Sequence, residues 1–339
     1  MITRRRVTIK QVAQASGVST QTVSRVLNDR PDVSEETRRR VRSVIAELGY
    51  SPNALARSLI QGHSNTLGVV SYGLSYYGPA RVLTGIERRA AELGYSILFG
   101  LLRSPETNFG EAIFQNLVDR QVDGIIWAVP EISGNRDWLL ETLHIPAPVM
   151  FLNMQPSPGV SMAAIDNREG GRLAAQHLLD RGYRHIGLIA GPPTWWEAQQ
   201  RAMGWQQALA NAGITPDPSL VVYGDWYPSS GASGLSTLLD RHPNLQAVFA
   251  CNDPMAAGAL QTARRMGRRV PEDLAVIGFD DVPEAAFYHP ALTTVRQPLV
   301  ELGALAVERL HGMLRQPAVN GDPGAPAWLQ PQLVQREST

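Results

Sequence analysis

The chain has 339 residues, long for one domain, and its 44% hydrophobic and 18% charged content is that of an ordinary soluble globular protein. No apolar run approaches the roughly 18–20 residues of a bilayer-spanning helix. The basic start MITRRR gives way to a segment too polar for a secretion signal, and the single cysteine, Cys251, excludes an internal disulfide and a multi-cysteine metal site. A cytoplasmic location with no membrane partner is expected.

The formal net charge is zero, but residues 1–60 hold eleven arginines and lysines against five acids, a balance of +6 that the rest of the chain offsets with −6. A small basic head on a mildly acidic body points to a polyanion-binding module joined to something else.

The first elements are short. Thr8 opens TIKQ, which has the form of a capping box: its hydroxyl accepts from the Gln11 amide while the Gln11 side chain reaches back. Ile9, Val12 and Ala13 follow at helical spacing, and Gly17 stops the helix. Ser19 is the next N-cap, and Val23, Val26 and Leu27 make the inner face of a second helix. Ser34 caps a third, SEETRRRVRSVIAELGY, with two glutamates in its first turn and Val41, Val44, Ile45 and Leu48 as its stripe. Helix, tight turn, helix and supporting helix make a helix-turn-helix unit. The second helix is short because it must fit a groove about 12 Å wide. Its outer face must then offer hydrogen-bonding side chains, here Thr20, Gln21, Ser24, Arg25 and Asn28. Glutamine pairs bidentately with adenine and arginine with guanine. A three-helix bundle with a plain polar face has the same pattern, but here caps, glycine, polar face and local charge coincide.

These residues carry a resemblance. VTIKQVAQASGVSTQTVSRVLN, followed by VSEETRRRV, ELGYSPNALARSL and a long body, resembles the lac/gal repressor family of bacterial transcription regulators over nearly the whole chain. Ser51 and Pro52 read as N-cap and first residue of a helix about two turns long, which is marginal in water and forms only when docked. The resemblance implies a hinge helix that pairs with its twin in a homodimer and enters the minor groove, with Ala56 at the close contact and Leu59 as an apolar wedge. Wedging a side chain between base steps costs a few kcal/mol and kinks the duplex. Thr8, Ser19, Tyr50 and Asn53 join the DNA-contacting set on the same basis.

From TLGVVSY onward, apolar runs alternate with amphipathic helices. LGVVSY, SILFGLL, DGIIWAV, PVMFLN, SMAAID, HIGLIAG, QAVFAC and LAVIGFD are strand-like, the mark of parallel α/β sheets. The break at NMQPSPGVSMAAID divides them into two similar halves. The expected fold is a small all-α helix-turn-helix head followed by two doubly wound parallel-sheet subdomains, of the type I periplasmic-binding-protein kind that the family resemblance implies. The expected boundaries are residues 1–50 for the head, 51–63 for the hinge, 64–163 plus about 294–320 for the first subdomain, and 164–293 plus about 321–339 for the second.

Ligands of such sheets sit beyond the carboxyl ends of strands. Those ends carry Tyr72, Tyr76, Trp195, Trp196, Arg201, Trp226, Asn252, Asp253, Asp280 and Asp281. Aromatic faces pack on the C–H faces of sugars, while carboxylates, amides and arginine pair with hydroxyls. Each has a plainer role open to it: aromatics as core or rim, Asp253 as a helix N-cap, the Asp280–Asp281 pair as a turn. By the resemblance, Arg201 stands at the effector-binding arginine and Asp280 at the effector-binding aspartate. Asn252 and Trp226 match further pocket positions, and Tyr72 and Gln297 fall where the pocket is often lined. Tyr76 and Trp196 add bulk that narrows the site or offers stacking platforms.

The implied function is an effector-regulated DNA-binding transcription regulator, a repressor of a carbohydrate-use operon. Its partners are a pseudo-palindromic double-stranded operator, a small polar effector of the sugar class, and its own twin. The tail QPAVNGDPGAPAWLQPQL has no heptad repeat for a tetramerising coil. A transport receptor for sugars and a regulator responding to a nucleoside or purine are the competing readings. An enzyme using Asp280 and Asp281 is disfavoured, since adjacent residues on a strand face opposite ways. The seven histidines show no metal-binding spacing, and no cofactor or metal is expected.

Overall fold

The computed structural model describes residues 7–50, 63–103, 109–132, 134–140, 147–315 and 324–339. The chain divides into two compact units, Met1–Ser64 and Asn65–Thr339.

In the head, α1 (Ile9–Ser16), α2 (Thr20–Leu27) and α3 (Glu35–Leu48) form where their caps direct. Both halves of the capping box are made: the Thr8 amide donates to Gln11 Oε1 at 2.8 Å and the Gln11 amide to Thr8 Oγ1 at 3.4 Å. Gly17 closes α1 at φ +65°, a left-handed conformation that glycine adopts without penalty. Ser19 and Ser34 accept from the Thr22 and Thr37 amides. Val12, Ala13, Val23, Val26 and Val41 form the buried centre, with Leu27, Val44 and Ile45 at its edge. Leu48, expected in the stripe, is 37% exposed. The reason is length: α3 has 14 residues and outruns partners of 8. Arg38 is an internal member of this unit rather than part of a solvated charged face. Its Nη1 donates to Asp29 Oδ1 at 3.1 Å and its Nη2 to the Arg30 carbonyl at 2.7 Å, tying the α2–α3 connection to α3. The expected hinge helix, with Asn53, Ala56 and Leu59, lies outside the described residues.

The body holds two parallel sheets. The first contains β1 (Thr66–Tyr72), β2 (Ser96–Leu102), β3 (Gly124–Ala128), β4 (Val149–Leu152), β5 (Met162–Ile165) and β11 (Ala327–Leu329), in the order β11-β5-β4-β3-β1-β2. Alternation sorts its side chains. Leu67, Val69 and Ile126 face α4 (Tyr77–Glu92) and α11 (Leu299–Arg315), while Val70, Ile125 and Trp127 join Phe114 and Leu117 of α5 (Phe109–Asp119) on the other side. One further turn, α6 (Asp137–Leu140), follows β3.

The second sheet contains β6 (Ile186–Ala190), β7 (Val221–Tyr223), β8 (Ala247–Ala250) and β9 (Ala275–Ile277), in the order β7-β6-β8-β9. It is covered by α7 (Asn167–Asp180), α8 (Trp196–Asn211), α9 (Pro228–Arg241) and α10 (Asp253–Arg265), around one core that includes Leu188, Trp205, Phe249 and Phe279. The helix pair α7/α8 meets at glycines: a Cβ on Gly171 would collide with the Arg201 carbonyl, and one on Gly204 with the Arg168 carbonyl. That contact seats α8 close enough to bring Arg201 to the sheet end.

The eight strand-like runs are strands, but the expected subdomain boundaries need correction. β10 (Thr294–Arg296) pairs antiparallel with β12 (Gln332–Val334), and bridges from Ile277 to Thr293 and from Asp280 to Arg296 place it beside the second sheet, not in the first subdomain. β11, assigned to the second subdomain, is the edge strand of the first sheet, beside β5. The chain therefore crosses between sheets after β5, after β10 and after β11. Backbone pairing decides these points, and short strands of three residues leave little side-chain pattern by which to place them. Among the described residues no helix is long and apolar enough to cross a membrane.

Candidate functional site

The head presents its second helix as the sequence demands. Val23 and Val26 are buried, while Thr20, Gln21, Arg25 and Asn28 are exposed and Ser24 is half-buried. Arg25 lies 3.4 Å from Asp32, an exposed pair that leaves the guanidinium free to exchange partners. Asn28 also has a local task, its Nδ2 donating to the Ser24 carbonyl at 2.9 Å to close the helix. Tyr50 packs against the head core.

In the body, the carboxyl ends of the strands in both sheets open on one cavity of about 310 Å³. Tyr76 and Tyr77 come from the end of β1, Val129 from β3 and Asn153 from β4. Trp195, Glu197 and Arg201 follow β6, Trp226 and Tyr227 follow β7, Asn252 follows β8, and Asp280 follows β9. The two halves of the wall are linked. The Trp196 amide donates to the Glu131 carbonyl at 3.0 Å, and Ile132 bridges Trp195. Tyr76 reaches across to Tyr227 with ring centroids 5.6 Å apart and to Trp195 at 6.0 Å.

The polar end is built around Arg201. Its Nε donates to Asn167 Oδ1 at 2.8 Å and its Nη1 to the Cys251 carbonyl at 2.5 Å. The guanidinium lies 3.9 Å from the centroid of Phe279 and 5.5 Å from that of Trp226, held by cation–π attraction on two sides. Asp280 accepts from Gln297 Nε2 at 2.6 Å. Burial pushes its carboxyl up to about 6, against the pull of Arg201 and Gln297. Asp280 and Asp281 do turn apart, though not as strand neighbours: both have positive φ, +117° and +57°. Asp281 accepts from Arg296 at 2.7 Å and Arg336 at 2.6 Å, well clear of the cavity chemistry. Asp253, offered above as a helix cap, is not the cap of α10. Asn252 fills that position, accepting from the Met255 amide at 2.9 Å. Asp253 is wholly buried, accepts from Thr294 Oγ1 at 2.6 Å and the Val282 amide at 2.8 Å, and has its carboxyl raised by burial and by the charge of Asp280.

Of the expected ligand residues, Tyr76, Arg201, Trp226, Asn252, Asp280 and Gln297 line the cavity. Tyr72 stands behind, its ring 6.4 Å from Tyr76 and 6.3 Å from Trp195. Trp196 turns away and packs beside Trp328 at 6.4 Å, where it borders a separate hollow with Asp166 and Gln200. Its neighbour Trp195 takes the cavity side. The sequence reading passed over Tyr77, Tyr227, Asn153 and Glu197. Glu197 was findable: it stands four residues before Arg201, hence on the same helical face.

A family model described as bacterial regulatory proteins, lacI family, matches residues 8–53, and one described as a periplasmic binding protein-like domain matches residues 175–339. The chain is similar to the HTH-type transcriptional repressor PurR of Edwardsiella ictaluri (strain 93-146), 37% identical over 337 residues that cover 98% of this chain and 96% of that one. Among solved structures, the lac repressor dimer bound to operator and the anti-inducer ONPF matches with a TM-score of 0.90 at 31% identity, covering 98% of this chain and 99% of that one. The transcriptional regulator CelR–cellobiose complex matches with a TM-score of 0.73 at 33% identity, covering 98% and 100%. The chain belongs to the lacI family of bacterial regulatory proteins.

Proposed function

We propose that the chain is a cytoplasmic homodimeric repressor of a carbohydrate-use operon, released from or fixed to its operator by a sugar bound in the body cavity. Two heads on one dimer set two recognition helices in successive major grooves of a pseudo-palindrome. Thr20, Gln21, Ser24, Arg25 and Asn28 are the base- and backbone-contacting side chains, supported by Thr8, Ser19 and Tyr50, with Asn53, Ala56 and Leu59 in the hinge. The observation that carries the reading is the shared cavity: Arg201, Asp280 and Gln297 at one end, Trp195, Trp226 and Tyr76 along the walls, drawn from both sheets. A ligand held by both sheets changes their relative orientation, and a differential affinity of a few kcal/mol is enough to move a two-state equilibrium. The lac repressor and CelR structures, with their operator, anti-inducer and cellobiose, support this assignment.

Catalysis is not part of the reading. Asp280 and Asp281 face different partners, so these two carboxylates do not share a substrate position. The kinship with PurR supports a second reading, a purine stacked between the cavity aromatics. A thermal-shift screen of the full chain against mono- and disaccharides, nucleosides and bases separates the two. A sugar hit abolished by Arg201→Ala supports the proposal; a hit among bases alone replaces it.

A further inference from the structure

The hollow beside Trp196 is a second cavity, of about 340 Å³ against about 310 Å³ for the first, and the two share no lining residue. The opening turns of α8 divide them. Glu197 and Arg201, four residues apart, line the first cavity; Trp196 and Gln200, also four apart, line the second. Residues at that spacing share a helix face. Asn167 ties the two together, bordering the hollow while its Oδ1 accepts from Arg201 Nε at 2.8 Å. Both halves of the body contribute walls: Trp328 and Gln330 come from β11 and the residue after it, Asp166 follows β5, and Trp196 and Gln200 belong to α8.

Alternation along β11 accounts for the aromatic wall. Ala327 and Leu329 pack toward the core under α4 and α11, which turns Trp328 to the opposite face of the sheet. There its ring lies 6.4 Å from that of Trp196 at an angle of 36°. Trp196 is buried, but Trp328 stays 41% exposed. A lone exposed aromatic is ordinary. This one is ringed by polar groups with bonding capacity to spare. Asp166 spends Oδ1 on the Glu169 amide, and its other oxygen has no hydrogen bond among the described residues. The side-chain amide of Gln330 has none either, and that of Gln200 makes only a 3.8 Å contact with Met203 Sδ. Arg168 commits its Nε to Gln207 and keeps its terminal nitrogens open.

The set suits one chemistry. An open indole face takes the C–H face of a sugar ring, a carboxylate accepts from hydroxyls, amides both accept and donate, and a guanidinium donates. Asp166 and Arg168 offset each other in charge, so the lining favours a neutral ligand. The 36° tilt denies a flat base the parallel pair of rings that would sandwich it.

We propose that the hollow is a second ligand site of the body and takes a neutral saccharide against Trp328. The proposal does not depend on what fills the first cavity. An occupant touches the same turns of α8 that fix Arg201.

The test is calorimetric titration of the full chain carrying Asp280→Asn, which disables the first cavity and leaves every residue of the hollow in place. The ligands are glucose, galactose, maltose, cellobiose and adenosine. At least one sugar should still bind. Adding Trp328→Ala should weaken it about tenfold, and adding Gln330→Ala about threefold. Trp328 and Gln330 are both exposed, so neither change should unfold the chain, and ligand-free melting curves check this. No sugar bound by Asp280→Asn, or a sugar affinity that neither added substitution changes, overturns the proposal. So does binding of adenosine without any sugar. Sugar binding by the wild type that responds to Trp328→Ala but not to Asp280→Asn would overturn the reading of the first cavity and leave this one standing.

Discussion

Arg201 and Asp280 face each other at 3.9 Å without a direct hydrogen bond. Each is held by other partners, Arg201 by Asn167 and the Cys251 carbonyl, Asp280 by Gln297. The gap is therefore fixed from both sides, and a ligand hydroxyl placed there meets a donor and an acceptor at once. Pre-organisation of this kind lowers the ordering cost of binding.

Arg201→Ala should abolish measurable effector binding. It should also destabilise the body by about 2–4 kcal/mol, because Asn167 and the Cys251 carbonyl lose a buried charged donor. Arg201→Lys should recover part of the stability but little affinity, since an ammonium cannot match the planar fork. Chemical denaturation and calorimetry of the same preparations separate the two effects.

Asp280 opposes stability in the service of binding. Its folded value of about 6 lies above the ordinary carboxylate range, so the folded chain holds a proton that the unfolded chain has released. Stability is therefore lost as pH rises from about 4 through about 6, and the cost then stays constant. Asp253 shifts in the same direction. Asp280→Asn should raise ligand-free stability at pH 7 by on the order of 1–2 kcal/mol, flatten the pH dependence of the melting temperature, and eliminate effector binding. Wild-type affinity should fall as pH drops below about 6.

Tyr76 crosses the cavity mouth to Tyr227 and Trp195. Tyr76→Ala should weaken effector binding about three- to tenfold through lost ring contacts, with Tyr76→Phe close to wild type. An affinity unchanged by the alanine substitution would remove the ring from the binding wall.

Two arginines of the head should part company. Arg25→Ala should cost about 1–3 kcal/mol of operator affinity while amide exchange in α1–α3 stays protected. Arg38→Ala should lower operator affinity by loosening the head itself, with exchange protection lost near Asp29, Arg30 and α3. Hydrogen exchange on the full chain tells the two causes apart.

Much of this was legible in the residues. The head was, down to its caps, because short helices depend on local hydrogen bonds that Thr8, Gln11, Ser19 and Ser34 announce. The longer strands were, because a buried parallel strand is a run of apolar residues. The crossing after β5 was as well, marked by the break at NMQPSPGVSMAAID, but the two later ones were not: β10, β11 and β12 are three residues each, and their pairing is decided by distant backbone. At the cavity, Trp195 and Trp196 could not be told apart, since one turn of backbone sends neighbours in opposite directions. Glu197 was overlooked because a glutamate near a helix start reads as a favourable charge on the dipole.

The central claim is that occupancy of the body cavity alters the grip of the head on DNA. The direct measurement is fluorescence anisotropy of the full chain on an operator fragment selected from genomic DNA, at fixed salt, with and without a saturating sugar from the screen. The account expects saturable binding whose Kd changes by about fivefold or more on adding the sugar, and no such change in Asp280→Asn. An identical Kd with and without sugar in wild type, or no saturable binding to any genomic fragment at low salt, would contradict it.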